Sequence, residues 1–585
     1  MNRMNERLMR LGSLFVIGCG SLIATTLPAW ADTSADEAIL HVYSYGFVDL
    51  EGAKPSAIIV EYDQPIDGRS VGIDTYQVTN YVIEQERQNG YKKTIERDDD
   101  SIHENEGCPT RIYVNDHPAT AADGGKAWGK YVVIELNTAY MLQGQNLVYT
   151  TSMMAGVTQK GPIQGERETI LANSHAITNY TVKQQESPRG TRTVIHTDER
   201  YILLPQFDEA HGWKQYAIGN GAFQAKHCYS EYTGRYEDFE LPYSIYVPDA
   251  KTLEAQKGKI ALVIHMEHAG GNDRDPMSAI TSSKAAALLA GEAIQSKHPA
   301  IVVVPQVEES RRSTNDLVAT SEVNTAAWEL LDSLLVQYKG IIDENRIYGT
   351  GQSMGGMLLL NMSAQRDNFF AGLALVGAQW SNNYDKPFQH NGAPARSPEN
   401  DPISFNGFGL DAANYQNWYY MVSDDNILIH TCSGDPMATG EWQALVDYYA
   451  AAGVTVAQAA WDPYMDLAAQ NRQDQQLTGR PNHTPGSGIY WASFTRGSHM
   501  STWKYGYQLE APLAWLFEQR RETAQRRGKI EQLKQPWLGR DEAGQIRPNS
   551  GTQGLNSAQF TPWGASETYT EGWTPASVQK EAVSK

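Results

Sequence analysis

Asp343-Glu344-Asn345-Arg346-Ile347-Tyr348-Gly349-Thr350-Gly351-Gln352-Ser353-Met354-Gly355-Gly356-Met357 is the stretch that decides how the rest of the chain reads. Residues 346–350 have the composition of a short buried strand. Met357 onward, with Leu358, Leu359, Leu360 and Met362, has that of an apolar helix. Between them lies Gly-x-Ser-x-Gly. A strand that turns straight into a helix brings the positions two before and two after the serine too close for side chains, which accounts for Gly351 and Gly355. The hydroxyl is left proud of the sheet at a helix N-terminus, where free N–H groups favour developing negative charge.

The pentapeptide needs its context. With 50 glycines in 585 residues, chance matches are expected. The chain holds one, Gly68-Arg69-Ser70-Val71-Gly72. The residues after it, Ile73-Asp74-Thr75-Tyr76-Gln77-Val78, alternate like a half-buried strand. No helical pattern comes after Ser70, so the strand-to-helix turn is assigned to Ser353.

Outward from this turn, 241–525 reads as one domain. The runs at 243–248, 259–266, 300–305, 372–377 and 426–431 are near-continuously apolar, and 283–293 and 325–339 are helical in pattern. Such alternation means a mostly parallel sheet with helices on both faces. The Gln-, Asn-, Pro- and Gly-rich stretch 462–488 reads as a lid-like insertion over the sheet edge. An amphipathic helix over 507–521 (Leu509, Leu513, Trp515, Leu516, Phe517) closes the domain. Upstream, 32–200 carries short β-branched and aromatic runs at 57–62, 111–115 and 131–136, separated by turn residues, the pattern of a β-sandwich. The aromatic, irregular residues 201–240 read as a passage between the two domains, and 526–585 as a polar C-terminal extension.

The first 31 residues read as an export signal. Arg3, Arg7 and Arg10 precede an apolar run, and Ala29-Trp30-Ala31 is an A-x-A site, so the mature chain is expected to begin at Asp32, secreted or periplasmic. Val16-Ile17-Gly18-Cys19 also resembles a lipobox, which makes a lipid anchor at Cys19 the alternative. No later segment has the roughly 18 continuous apolar residues of a membrane helix, so stable membrane insertion is not expected. The formal charge of −20 argues against nucleic acid or an anionic membrane as partner. Of the cysteines beyond the signal, Cys432 lies in an apolar run and reads as a buried thiol. Cys108 and Cys228 are candidates for pairing in an oxidising compartment. Neither a CxxC nor a Cys/His cluster is present, and no metal or cofactor is expected. The acidic stretch from Asp98 to Glu104 lacks a calcium-ligand spacing and reads as a solvated loop.

A serine nucleophile needs a general base, and the base needs a carboxylate to hold its tautomer. Functional loops of open parallel sheets lie beyond the C-terminal ends of strands. Asp424 and Asp425 precede the run at 426–431, whereas Asp435 comes after it in Cys432-Ser433-Gly434-Asp435-Pro436; Asp435 is therefore the candidate acid. His499, in the small-residue stretch Gly497-Ser498-His499-Met500-Ser501 before the closing helix, is the candidate base. His483 sits among prolines in the lid-like stretch, and His265 and His430 fall within strands. The chain order Ser, Asp, His is that of α/β-hydrolases. The oxyanion hole is expected from the N–H groups of Met354, next to the nucleophile, and of His268, in the loop Glu267-His268-Ala269-Gly270-Gly271. Trp380, Trp461 and Trp503 lie near strand ends or the histidine loop and are candidates for lining a substrate pocket, with core packing as the alternative.

Residues 343–356, the Asp435 loop and the Gly-Ser-His loop before a Trp-Leu-Phe helix together resemble secreted α/β-hydrolase esterases with an immunoglobulin-like N-terminal domain. These are similar to polyhydroxybutyrate-depolymerase-like esterases and "predicted peptidases". The resemblance covers 240–525 and, more loosely, 36–190. It implies an α/β-hydrolase fold behind an all-β sandwich, and hydrolysis of a small-molecule or polymeric ester through an acyl-serine, with Ser353, Asp435 and His499 as the triad. Where relatives commonly carry His-Gly at the oxyanion loop, this chain has Glu267-His268, which bears on substrate preference. Rival readings are a polyester depolymerase, a serine peptidase of the prolyl-oligopeptidase kind, and a non-catalytic surface-binding protein.

Overall fold

The computed structural model describes residues 32–548 apart from 51, 89–90, 99–108, 137–152, 154, 188–189, 198, 231–234, 269–275, 307–321, 367, 379–418, 480–483, 500, 534–537 and 541–545. Its larger part is built on one nine-stranded sheet. In chain order the strands are β1 (Trp213–Tyr216), β2 (Tyr243–Tyr246), β3 (Ile260–Met266), β4 (Ala300–Pro305), β5 (Ile342–Gln352), β6 (Gly372–Val376), β7 (Ile427–Gly434), β8 (Ala457–Trp461) and β9 (Ile489–Ser498). In space they run β1-β2-β4-β3-β5-β6-β7-β9-β8. The pairs β1/β2 and β2/β4 are antiparallel, and all the others are parallel.

β5 is the middle strand, and every residue from Ile347 to Gln352 is buried. Burial on both faces is why these strands read as unbroken apolar runs rather than alternating ones. One face packs against helices Glu322–Gln337, Met354–Gln365 and Pro436–Ala451, with Trp328, Leu359 and Trp442 in the contact. The other face packs against Pro276–Thr281, Ala285–Ala290 and Ala511–Glu518, through Ile280, Leu289, Trp515 and Phe517. This strand order, with a strand-to-helix serine turn after the fifth strand, is the α/β-hydrolase fold expected from the sequence.

The N-terminal part is a sandwich. A five-stranded sheet (Ile202–Leu203, Ile39–Asp49, Gly52–Asp67, Trp128–Leu136, Pro109–Asn115) faces a four-stranded one (Ile177–Thr178, Ala155–Gln159, Tyr76–Gln88, Tyr91–Asp98). Ile58, Val60, Val132 and Ile134 from the first sheet meet Tyr76, Ala155 and Val157 from the second. Inside it the Tyr62 hydroxyl donates to Gln159 Oε1 at 2.8 Å and lies 2.9 Å from the Tyr76 hydroxyl. The hairpin joining Ile39–Asp49 and Gly52–Asp67 reaches the hydrolase body. Val48 and Ala53 pack with Phe207, Ala279 and Ile280, and Leu50 packs against the cluster of Ala285, Val376, Trp503 and Tyr507.

Three expectations are corrected. Residues 201–240 are not a passage between domains but contain β1, the edge strand, and a hairpin, Phe223–Ser230 with Arg235–Leu241, that packs on helix Glu322–Gln337. The stretch 462–488 is not a lid: Leu467–Thr478 is a helix that carries the chain from β8 to β9. Asp466 caps its first turn, accepting from the Ala469 N–H at 2.8 Å. Its buried residues, Gln470, Asp474 and Leu477, keep helical spacing, but two of the three are polar, so no apolar stripe marks it. The closing helix is broken into Ser501–Tyr507, Ala511–Glu518 and Arg521–Arg527, and the body continues past 525. There the buried Arg527 guanidinium donates to the Asp424 carbonyl and Asn426 Oδ1, and Lys529 pairs with the Asp424 carboxylate at 2.8 Å. The signal segment, Cys108 and most of the acidic stretch at 98–104 lie outside the described residues. Among the described residues no helix is long and apolar enough to cross a membrane.

Candidate active site

Four loops converge at the C-terminal ends of the parallel strands. After β5 the chain turns at Ser353, with φ 50° and ψ −122°, and enters helix Met354–Gln365. Ser353 and Asn368 are the two non-glycine residues with positive φ among the described residues. An L-residue in that region is strained, and here the neighbours enforce it. The Ser353 N–H donates to the Val376 carbonyl on β6 at 3.0 Å, and the Ser353 carbonyl accepts from the Met357 N–H at 3.0 Å. At Gly351 a Cβ would lie 2.8 Å from the Gly356 nitrogen, so the return of the helix over the strand leaves no room there. Met354 is the first helical residue, and the N–H groups of that turn have no partner inside the helix.

Asp435 ends β7 and caps the next helix. One carboxylate oxygen accepts from the Ala438 N–H of Pro436–Ala451 at 3.4 Å, and the other lies 2.5 Å from His499 Nδ1. Both oxygens of the buried carboxylate are therefore directed. His499 Nε2 lies 2.7 Å from Ser353 Oγ. A carboxylate only accepts, so Nδ1 carries the imidazole proton and Nε2 offers its lone pair to the serine hydroxyl. His499 comes directly after β9. Its loop is fixed by Ser501 Oγ, which accepts from the Ser498 N–H at 3.2 Å, and by the Thr502 N–H, which donates to the His499 carbonyl at 3.3 Å. Gly377 beside the imidazole has φ 59°, and it is this left-handed backbone rather than lack of space that favours glycine, since a Cβ there would make ordinary contact with His499 Cε1 at 3.5 Å.

The structure thus brings Ser353, His499 and Asp435 into one hydrogen-bonded chain. Asp424 and Asp425 lie at the opposite end of β7, bound up with the segment that carries Arg527 and Lys529. Ser70 stands in a 3₁₀ turn, where its hydroxyl donates to the Asp67 carbonyl at 2.7 Å and accepts from the Gln164 N–H at 3.0 Å. Cys432 is buried, and burial pushes its thiol up to about 12, so it offers no thiolate beside the serine.

His268 lies just past β3 and is buried, its imidazole stacked on the Trp503 indole with ring centres 5.0 Å apart. Trp503 also meets the His499 ring edge to face at 5.5 Å. Only 4 % of Trp503 is exposed, which leaves it little surface for a substrate. Trp461 is corrected from pocket to core: at the end of edge strand β8 it packs against His430 and Phe494. Trp380, His483 and the glycines of the oxyanion loop lie outside the described residues. Sequence reasoning missed the contact of Trp503 with both imidazoles, and its place four residues after His499 was the available signal. Among the described residues no group of three His, Cys, Asp or Glu side chains is placed to hold a metal.

Residues 47–197, about a quarter of the chain, match the family described as the esterase Ig-like N-terminal domain. The protein is thus an α/β-hydrolase fold behind an immunoglobulin-like domain of the kind described for esterases. Among solved structures the chain is similar to a thermostable esterase (18% identity, 83% of this chain and 100% of that one, TM-score 0.47). It is also similar to an S-formylglutathione hydrolase of Staphylococcus aureus (12% identity, 52% and 97%, TM-score 0.31) and to an acylaminoacyl peptidase of Pyrococcus horikoshii (11% identity, 80% and 72%, TM-score 0.32). These likenesses concern fold, and the strand order stands without them. No curated protein matches the chain.

Proposed function

We propose that the protein is an exported serine hydrolase that cleaves carboxylic esters through an acyl-serine intermediate. The observation that carries the reading is the chain Ser353 Oγ–His499 Nε2–Asp435, at 2.7 and 2.5 Å, on a positive-φ serine at a helix N-terminus. His499 takes the hydroxyl proton as Ser353 attacks the ester carbonyl, and Asp435 holds the imidazolium that results. The N–H groups of Met354 and His268 are assigned to the oxyanion. The proton on His499 passes to the departing alkoxide. Water, deprotonated by the same Nε2, then releases the acid and restores the serine.

The match of the N-terminal domain to an esterase-associated family supports an ester over a peptide. Export is supported by the positive region and Ala29-Trp30-Ala31, and N-terminal sequencing of the mature protein checks it at Asp32. Turnover is best tested on p-nitrophenyl esters of rising acyl length, a chromogenic peptide and a polyester film in parallel. Turnover of short esters alone is expected. Cleavage of the peptide alone would replace this reading with a peptidase, and erosion of the film with a depolymerase.

A further inference from the structure

We propose that Trp503 is a positioning residue that couples the general base to the oxyanion loop, and that the N-terminal domain sets its place through Leu50. The proposal rests on the serine-hydrolase reading above and gives one side chain a role in both halves of the reaction.

The indole contacts two imidazoles, that of His268 and that of the proposed base His499. It is parallel to His268, with planes 5° apart and centres 5.0 Å apart, and nearly perpendicular to His499, at 84° and 5.5 Å. The helix that carries it, Ser501–Tyr507, is tied back to the His499 loop by Thr502 Oγ1, which donates to the Ser498 carbonyl at 3.3 Å. Trp503 is held from behind by Ala285, Val376 and Tyr507, and Leu50 of the N-terminal hairpin packs onto the same cluster. Gly52, at the other side of that hairpin tip, approaches the Thr281 and Ser282 carbonyls of the hydrolase body, so the tip is closely docked.

This placement has two physical effects. His499 is neutral in the resting site and cationic once it has taken the Ser353 proton. A cation that meets the face of an aromatic ring within about 6 Å is attracted to it, and the perpendicular pair at 5.5 Å is read as the His499 edge meeting the indole face, so the indole favours the state reached during acylation over the ground state. The parallel stack fixes His268, whose N–H is assigned to the oxyanion, and preorganised donors are worth most when they need not move during the reaction. Both effects act on the transition state. A residue lining the pocket would act on substrate binding instead, and the burial of Trp503 argues against that role.

The test measures kcat and KM on p-nitrophenyl butyrate for Trp503→Leu, Trp503→Phe and Leu50→Ala, with thermal melting to establish folding. Trp503→Leu is expected to lower kcat by about 10- to 100-fold, with KM within about threefold of the parent. Trp503→Phe, which keeps an aromatic face, is expected to recover kcat to within about fivefold of the parent. Leu50→Ala leaves the indole in place and loosens its support, and a fall in kcat of about two- to fivefold is expected. The proposal is overturned if folded Trp503→Leu keeps the parent kcat, if Trp503→Phe is no better than Trp503→Leu, or if the loss falls on KM. Should Trp503→Leu fail to fold, an unchanged kcat in Leu50→Ala overturns it. Failure of the underlying reading looks different: the unsubstituted protein would then form no phosphonate adduct at Ser353.

Discussion

Gly355 is pressed against Met266: a side chain at position 355 would overlap the Met266 carbonyl and crowd that of Glu267. The second glycine of the serine turn is therefore required by the neighbouring strand, whereas Gly351 is required by the helix folding back over it. The contact fixes the start of the Glu267-His268 loop against the first turn of the serine helix. The two segments whose N–H groups are proposed for the oxyanion are thereby held together, although 87 residues of chain lie between Met266 and Met354.

Ser353→Ala should abolish labelling by a fluorophosphonate, whereas Ser70→Ala should leave it unchanged. The two serines share the same five-residue pattern, so the second variant controls for the motif itself. Ser70 bridges Asp67 and Gln164 in the sandwich, and its loss should lower stability by about 1 kcal/mol. Mass spectrometry of the adduct decides, and a phosphonate on Ser70 would overturn the site.

Asp435→Asn should lower turnover by up to about 10⁴-fold while the protein stays folded. The amide presents a donor to Nδ1 and thereby favours the tautomer whose Nε2 bears a proton, which removes the base. Asp424→Asn sits at the far end of β7 and should lose stability rather than rate, because Lys529 then lacks its carboxylate. A crippled rate with Asp424→Asn and a normal one with Asp435→Asn would reverse the assignment.

Asp474→Ala should destabilise the hydrolase body by about 3 kcal/mol, read as a lower melting temperature, with phosphonate labelling of the folded protein retained. Asp474 accepts from His430 Nε2 at 3.0 Å, and both side chains are almost fully buried. Removing the carboxylate leaves a buried imidazole N–H unpaired and weakens the seat of helix Leu467–Thr478. Loss of labelling without loss of stability would mean that the pair serves the reaction instead.

His265 gives a pH dependence of stability with a definite sign. Burial beside β5 pushes its imidazole down from 6.5 to about 4, against a weaker opposing pull from the Thr350 backbone. Above pH 6.5 neither state carries its proton, and nothing is gained or lost. Below 6.5 the unfolded chain binds the proton while the folded one refuses it until about pH 4, so stability falls across that window by roughly 3 kcal/mol. His265→Gln removes this contribution. The difference in melting temperature between the two proteins should therefore move in the variant's favour as pH drops from 6.5 to 4. A constant difference would contradict the buried neutral state.

The fold and the hydrogen-bonded chain were legible because each signal was local. Ser353 stands at an abrupt change of period, Asp435 just past an apolar strand, and His499 just before an aromatic helix. The illegible parts depended on partners far away. Helix Leu467–Thr478 seats Asp474 on His430, a partner that no local pattern announces, while its other buried polar residue, Gln470, turns back onto the Pro463 and Met465 carbonyls. Strand β8, Ala457–Trp461, alternates buried and exposed residues over only five positions, too few to stand out. The aromatic residues near 213–241 looked irregular because they form an edge strand and a separate two-stranded hairpin rather than strands in the middle of the large sheet. Trp461 and Trp503 looked alike in sequence, and only their neighbours assign one to the core and the other to the site.

The seating of β9 between β7 and β8 has a consequence for how the molecule comes to exist. As the chain leaves the ribosome, β8 emerges before β9 yet pairs with no other strand of the large sheet. It stays outside that sheet until the segment 489–498 inserts beside β7, and the same insertion delivers His499 to Ser353. Completion of the sheet and completion of the proton path are one late event in biosynthesis. A chain stopped between residues 353 and 499 carries the serine but not the histidine proposed as its base.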